Sequence, residues 1–144
     1  MVNSRAGYYF SIPDGWVLDS DSDYEDVKVV HPESGTDFTI TYDRARGTPT
    51  MYYFALLFSL ESPDNRWLTF GKGSVKLGGR DAWAFVGTRE KEGRKVKQFI
   101  WSALVDGYAY LLSSEVDLVG IDQRAPEIDR IFSTFSWGNP PRAS

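Results

Sequence analysis

The densest set of chemistry-bearing side chains is acidic. Asp19, Asp21, Asp23, Glu25 and Asp26 place five carboxylates within eight residues. The alternation Asp19-x-Asp21-x-Asp23 is the spacing with which a calcium loop begins, since alternate carboxylates can converge oxygens on a hard cation. The rest of that loop is not written here. Tyr24 stands where the sharp turn wants glycine, and Val30 where a bidentate glutamate would close the site. Asp19, Asp21 and Asp23 are thus an incomplete candidate metal set, with calcium as the only cofactor they suggest. The competing reading is a solvated loop, because five neighbouring like charges repel one another too strongly to be buried.

Other catalytic side chains are scarce. The 144 residues contain no cysteine and a single histidine, His31, which removes disulfides, thiol nucleophiles, Cys/His zinc clusters and redox pairs. A Ser-His-Asp triad would have to use His31, which precedes Pro32 and reads as a half-exposed histidine at a strand end and turn. No phosphate-binding glycine loop occurs. Gly71-Lys72-Gly73 lacks the third glycine and following helix of a dinucleotide fingerprint, and reads instead as a bulge or a relief of crowding in a strand. The only enzyme class left is a carboxylate hydrolase, and no spacing supports one, so the chain is expected not to be an enzyme.

Charge narrows the partners. Sixteen Lys and Arg against twenty Asp and Glu give a net charge of −4, with no basic excess to neutralise phosphates, so nucleic acid is not expected. One segment runs the other way. Arg89 to Lys97 holds five basic and two acidic side chains, and Lys91, Arg94 and Lys97 could steer an acidic partner or anionic headgroups. The alternative is a solubilising hairpin end that discourages aggregation.

The elements that must position these groups follow from turn residues and periodicity. Tyr8 to Ile12 reads as a strand ended by Pro13-Asp14-Gly15, and an extended segment restarts at Trp16 and Val17. Val27 to Val30 and Phe38 to Tyr42 form a hairpin around Pro32 to Gly35. Thr48-Pro49 signals a helix start, with a helix over Met51 to Ser62 stopped at Pro63. Trp67 to Leu77, Ala82 to Glu90, Lys95 to Val105 and Tyr108 to Ser114 form a four-strand meander whose turns carry glycine. Ala82 to Val86 and Phe99 to Val105 are apolar on both side-chain faces, so their strands are central and covered on both sides. An amphipathic helix from about Asp122 to Phe135 closes the chain, with Pro126 in or near its first turn.

The first helix carries the candidate binding surface. Tyr53, Leu56, Leu57 and Leu60 form one stripe, Tyr52, Ala55, Ser59 and Ser62 a second, and Phe54 and Phe58 make the remaining side apolar. Such a helix is either covered on more than one side or presents an apolar surface. Tyr52, Phe54 and Phe58 are therefore candidate anchors for another chain or for an identical subunit. The alternative is a groove between sheet and first helix, beneath Tyr53 and Leu57, that holds a small ligand or an apolar helix in the manner of a chaperone.

The opening Tyr9-Phe10-Ser11-Ile12-Pro13-Asp14-Gly15-Trp16 resembles the "aromatic, apolar, Pro, x, x, Trp" start of PsbP-like and Mog-type domains, including bacterial DcrB-related lipoproteins. The order of elements matches too, with a Gly78-Gly79-Arg80-Asp81-Ala82 turn and a last helix ending in Ser133-Thr134-Phe135. The resemblance spans about residues 7 to 137. It implies an antiparallel sheet of about six to seven strands flanked by helices, an α/β/α sandwich of the α+β class. The relatives it implies include photosystem II extrinsic subunits, a nuclear-import factor that binds a small GTPase, small lipoproteins and cytoplasmic chaperones of type VI effectors. None is an ordinary enzyme, and no binding motif of theirs matches this sequence residue by residue.

The expectation is one domain over 1–144, with an ordered core at 7–137 and tails at 1–6 and 138–144, acting as a non-catalytic protein-interaction module. Met51 to Leu60 is about half of the ~20 apolar residues a membrane span needs. Met1 to Ala6 lacks the charged and apolar regions of a secretory signal. The chain is accordingly either cytoplasmic or an extracytoplasmic segment, such as a lipoprotein ectodomain, whose signal precedes it.

Overall fold

The computed structural model describes residues 2–3, 7–19, 27–44 and 48–138. Among these residues ten strands and two α-helices follow in the order β1 (Val2–Asn3), β2 (Tyr8–Phe10), β3 (Val17–Asp19), β4 (Val27–His31), β5 (Thr36–Arg44), α1 (Pro49–Leu60), β6 (Thr69–Leu77), β7 (Arg80–Lys91), β8 (Arg94–Val105), β9 (Tyr108–Asp117), α2 (Ile121–Thr134) and β10 (Ser136–Trp137). The main sheet has seven strands in the order β3-β4-β5-β9-β8-β7-β6, and β1-β2-β10 make a small second sheet. Every pairing is antiparallel. The expected α+β sheet of six to seven strands flanked by helices is the observed architecture.

The β4–β5 hairpin and the β6-to-β9 meander occur as their turn residues dictate. What joins them is a long-range pairing. β5 does not pair with β6, the next strand in the chain, but with β9, from Asp37 opposite Glu115 to Arg44 opposite Tyr108. The chain must therefore cross one face as α1, restart at the far edge as β6 and meander back. After β9 it crosses the other face as α2 and ends beside β2.

Alternation along the central strands separates two cores. Adjacent residues of a strand point to opposite faces, so Ile100 meets α1 while Trp101 stacks on Phe132 of α2 at 4.0 Å between ring centroids. The larger core lies under α2 and the small sheet, around Tyr8, Phe10, Phe38, Leu112, Ile128 and Ile131. The smaller one holds Leu57, Phe85 and Ile100, with Tyr53, Leu56, Leu60, Trp83 and Leu111 at its margin. Both-sided coverage of β7 and β8 is thus what their apolar runs indicated.

Several local readings change. Gly71 and Gly73 make neither a bulge nor room: β6 pairs residue for residue with β7, and a Cβ on either glycine would meet nothing within 4 Å. Pro126 lies in the second turn of α2, deeper than its missing N–H favours. Val2–Asn3, expected in a tail, pair with β2, and Gly138 N–H donates to Gly7 O at 2.7 Å.

The close approach that does demand glycine is Gly87. A Cβ there would stand 2.4 Å from Trp67 Cε3, and Trp67 in turn donates its indole N–H to Leu60 O at 2.7 Å, capping the end of α1. Asn65 Nδ2 adds bonds to Ser59 O and Leu60 O at 2.9 and 2.8 Å. These side chains satisfy carbonyls that a helix terminus leaves unpaired. Gly87→Ala is expected to push Trp67 off the sheet, lowering stability by about 1–3 kcal/mol as overpacking does. A urea titration checks this, and an unchanged midpoint would show that the indole is not held by this contact.

Candidate interaction surface on the first helix

α1 begins as its sequence dictates. Thr48 Oγ1 accepts from Met51 N–H at 3.2 Å, and Pro49 occupies the first turn, where its missing N–H costs nothing. No charged residue occurs from Pro49 to Leu60. The packed stripe is the expected one: Leu57 is buried, Tyr53 lies 4.7 Å from Trp83 and 6.1 Å from Phe85 between ring centroids, and Leu56 and Leu60 pack beside them. Beneath Tyr53 and Leu57 these side chains pack on Phe85 and Ile100, while the side of the helix at Tyr52 borders an open cleft over β5 and β9.

The outer face is bare. Met51 is 63% exposed, Phe54 60% and Phe58 84%, and the i, i+3, i+7 spacing places the three in one row. Surface helices ordinarily carry charges there. Met51 was not singled out in the sequence, although its spacing from Phe54 and Phe58 was the available signal. Tyr52 does not join the row. Two residues from Phe54 on a helix, it points about 200° away, half-buried in an open cleft with Thr41, Tyr42, Asp43, Arg44, Ala109 and Leu111. The three aromatic candidates therefore split between two sides of the helix.

The basic hairpin also splits. Arg94 and Lys97 lie at odd separation on β8 and so point to opposite faces. Lys91 and Arg94 are met by acids of β9: Lys91 Nζ lies 3.3 Å from Glu115 Oε1 and Arg94 Nη1 3.3 Å from Asp117 Oδ2, with Arg89 also 3.7 Å from Glu115. Lys97 instead stands 5.3 Å above the Phe99 ring. The expected set of three is not one cationic patch, because the antiparallel neighbour supplies counter-charges that linear sequence does not show. Of the acidic candidates, Asp19 ends β3, and Asp21 and Asp23 lie outside the described residues. Among the described residues, no group of three or more His, Asp and Glu side chains is placed to hold a metal ion.

His31 is 6% exposed rather than half-exposed. Its Nδ1 lies 2.8 Å from Ser34 Oγ, and the Arg124 guanidinium of α2 donates to its Nε2. A guanidinium can only donate, so Nε2 accepts. Arg124 also pairs with Glu127 at 3.0 Å, and Trp16 Nε1 donates to Glu127 Oε2 at 2.6 Å. The Trp of the Pro-x-x-Trp opening thus fastens the N-terminal segment to α2, and the lone histidine belongs to that fastening.

The crossover through α1, the meander and the return through α2 define the architecture, and solved structures share it. The fold is PsbP-like. CyanoP, the cyanobacterial PsbP of Synechocystis sp. PCC 6803, aligns at a TM-score of 0.61 and 12% identity, over 95% of this chain and 90% of that one. LpqN, involved in cell envelope biogenesis of Mycobacterium tuberculosis, aligns at 0.67 and 17% identity, over 91% and 83%. A Bacteroides thetaiotaomicron VPI-5482 protein aligns at 0.66 and 17% over the whole of this chain but 50% of its own length. At these identities the PsbP-like likeness is one of fold, which does not carry a site with it. No family model and no curated protein matches the sequence. Among the described residues, no helix is long and apolar enough to cross a membrane.

The two sides of α1 should differ sharply in energetic weight. Leu57→Ala is expected to cost about 2–5 kcal/mol, as buried leucines do. Phe58→Ser should change stability by no more than about 0.5 kcal/mol, as exposed positions do. Denaturant midpoints of the two variants check this, and a large loss in Phe58→Ser would mean that its ring is covered.

Proposed function

We propose that this PsbP-like protein is a non-catalytic interaction domain that binds another protein chain through the outward row Met51, Phe54 and Phe58 of α1. The observation that carries this reading is the exposure of two phenylalanines and a methionine on a helix with no charged residue. Leaving such rings in water forgoes on the order of 1.5–3 kcal/mol each in burial, which association can recover. Aromatic and methionine side chains are also the types enriched at interface centres.

The fold neighbours are compatible with such a role. CyanoP is a PsbP and LpqN acts in cell envelope biogenesis, neither of which bears on the chemistry of a particular surface here.

The test is affinity capture with the native chain and with the double variant Phe54→Ser/Phe58→Ser, both verified as folded by circular dichroism. The partners held by the native chain are expected to be lost from the variant. Identical capture by both would overturn the reading.

A further inference from the structure

We propose that two copies of this chain pair antiparallel along β6, joining their seven-stranded sheets into one continuous sheet. This assignment rests on the reading of the protein as an interaction domain and names a second copy as a partner.

β6 is a long and regular edge strand. Its nine residues pair with β7 without a bulge and contain no proline, and Thr69 to Lys76 carry no described strand partner on the outer side, whereas Leu77 at the end is buried and accepts from the Trp137 indole. Natural edges are commonly kept short, kinked, covered or charged, with lysine above all; the opposite edge, β3, is only three residues long, and the two lysines of β6 are tied to Glu61 and Asp81. β6 also contains two glycines that its own fold does not require. Gly71 and Gly73 have no positive φ, and a Cβ on either would meet nothing within 4 Å. Glycine weakens a strand unless another backbone must come close, and among the described residues no other backbone does so.

The charge pattern selects a second copy. Centred on Gly73, antiparallel self-pairing of Phe70 to Lys76 sets Lys72 opposite Ser74, Gly71 opposite Val75 and Phe70 opposite Lys76. No like charges face each other, which directly opposed lysines would make unfavourable. Lys72 is already paired with Glu61 at 3.3 Å, and Lys76 with Asp81, so the edge holds no unneutralised charge with which to recruit an acidic chain.

The pairing also places the apolar row of α1. Phe54, Phe58 and Glu61 follow at i, i+4 and i+7, and Glu61 reaches Lys72 of β6, so this shoulder of the helix leans toward the β6 edge. Tyr52 occupies the opposite shoulder, over β5 and β9. A two-fold axis perpendicular to the sheet keeps both α1 helices on one face. The two phenylalanine rows then face each other across the seam.

Because the chain has no cysteine, Gly73→Cys is a clean probe. Its sulfurs would meet on the axis, where opposed Cα atoms are about 4.5–5.5 Å apart and within disulfide reach. Light scattering over a concentration series is expected to give twice the monomer mass for the native chain. Mild oxidation of Gly73→Cys should yield a covalent dimer far faster than Ser133→Cys on exposed α2. Gly73→Glu, which opposes two carboxylates on the axis, should shift the mass to the monomer with an unchanged circular dichroism spectrum. A native monomer at every concentration overturns the proposal, as does a dimer that persists in Gly73→Glu without cross-linking at position 73. Either failure leaves the α1 reading standing. Loss of partner capture in Phe54→Ser/Phe58→Ser with cross-linking at Gly73 retained would in turn separate that reading from this one.

Discussion

The structure depends on the antiparallel pairing of β5 with β9. Two hairpin-built units, β3-β4-β5 and the β6-to-β9 meander, become one sheet only because Thr36–Arg44 lies beside Tyr108–Asp117. That pairing forces the chain to travel from the middle of the sheet to its far edge. The segment that makes the journey is α1, and the strand at which it lands is β6. The exposed helix and the unpaired edge are both consequences of one crossover. Loop closure over some seventy residues also has to precede the contacts that reward it, which places the fold among those with slow, non-local assembly.

Three tryptophans bind the crossovers to the sheet. Trp67 caps α1 through Leu60 O, Trp16 reaches Glu127 of α2, and Trp137 donates to Leu77 O at the β6–β7 turn. Each indole fills apolar volume with its rings and spends its one N–H on a neighbouring element. Much of the aromatic content that looked like surplus surface is therefore structural. Phe54 and Phe58 are instead the most exposed of the described aromatics.

The two faces of the sheet are unequally covered. α2 and the small sheet bury a contiguous aromatic core, with Tyr8 and Phe135 stacked at 5.2 Å and Phe38 against Phe132 at 5.3 Å. α1 covers only the β7–β8 side of the other face, and Thr39, Thr41 and Ser113 lie beyond it at half-exposed positions. A helix with one packed stripe and no charges on its outer face gains nothing further from its own sheet.

How much of this was legible follows from the range of each interaction. Turn glycines, Pro13-Asp14-Gly15, the Thr48-Pro49 helix start and the alternation of β7 and β8 act over a few residues, so the sequence by itself determined the elements of the main sheet and both helices, their approximate limits and the packed stripe Tyr53, Leu56, Leu57 and Leu60, but not the short strands β1 and β10. The same periodicity showed that α1 had more apolar surface than one contact could cover. Only the tertiary structure decided which of its aromatics stay exposed, that Tyr52 turns away from Phe54 and Phe58, and that β6 is an edge. It also decided that Glu115 and Asp117 meet Lys91 and Arg94, and that His31 is buried against Arg124. Those outcomes rest on pairings between residues far apart in the chain, where strand order selects the neighbour and no local pattern encodes it.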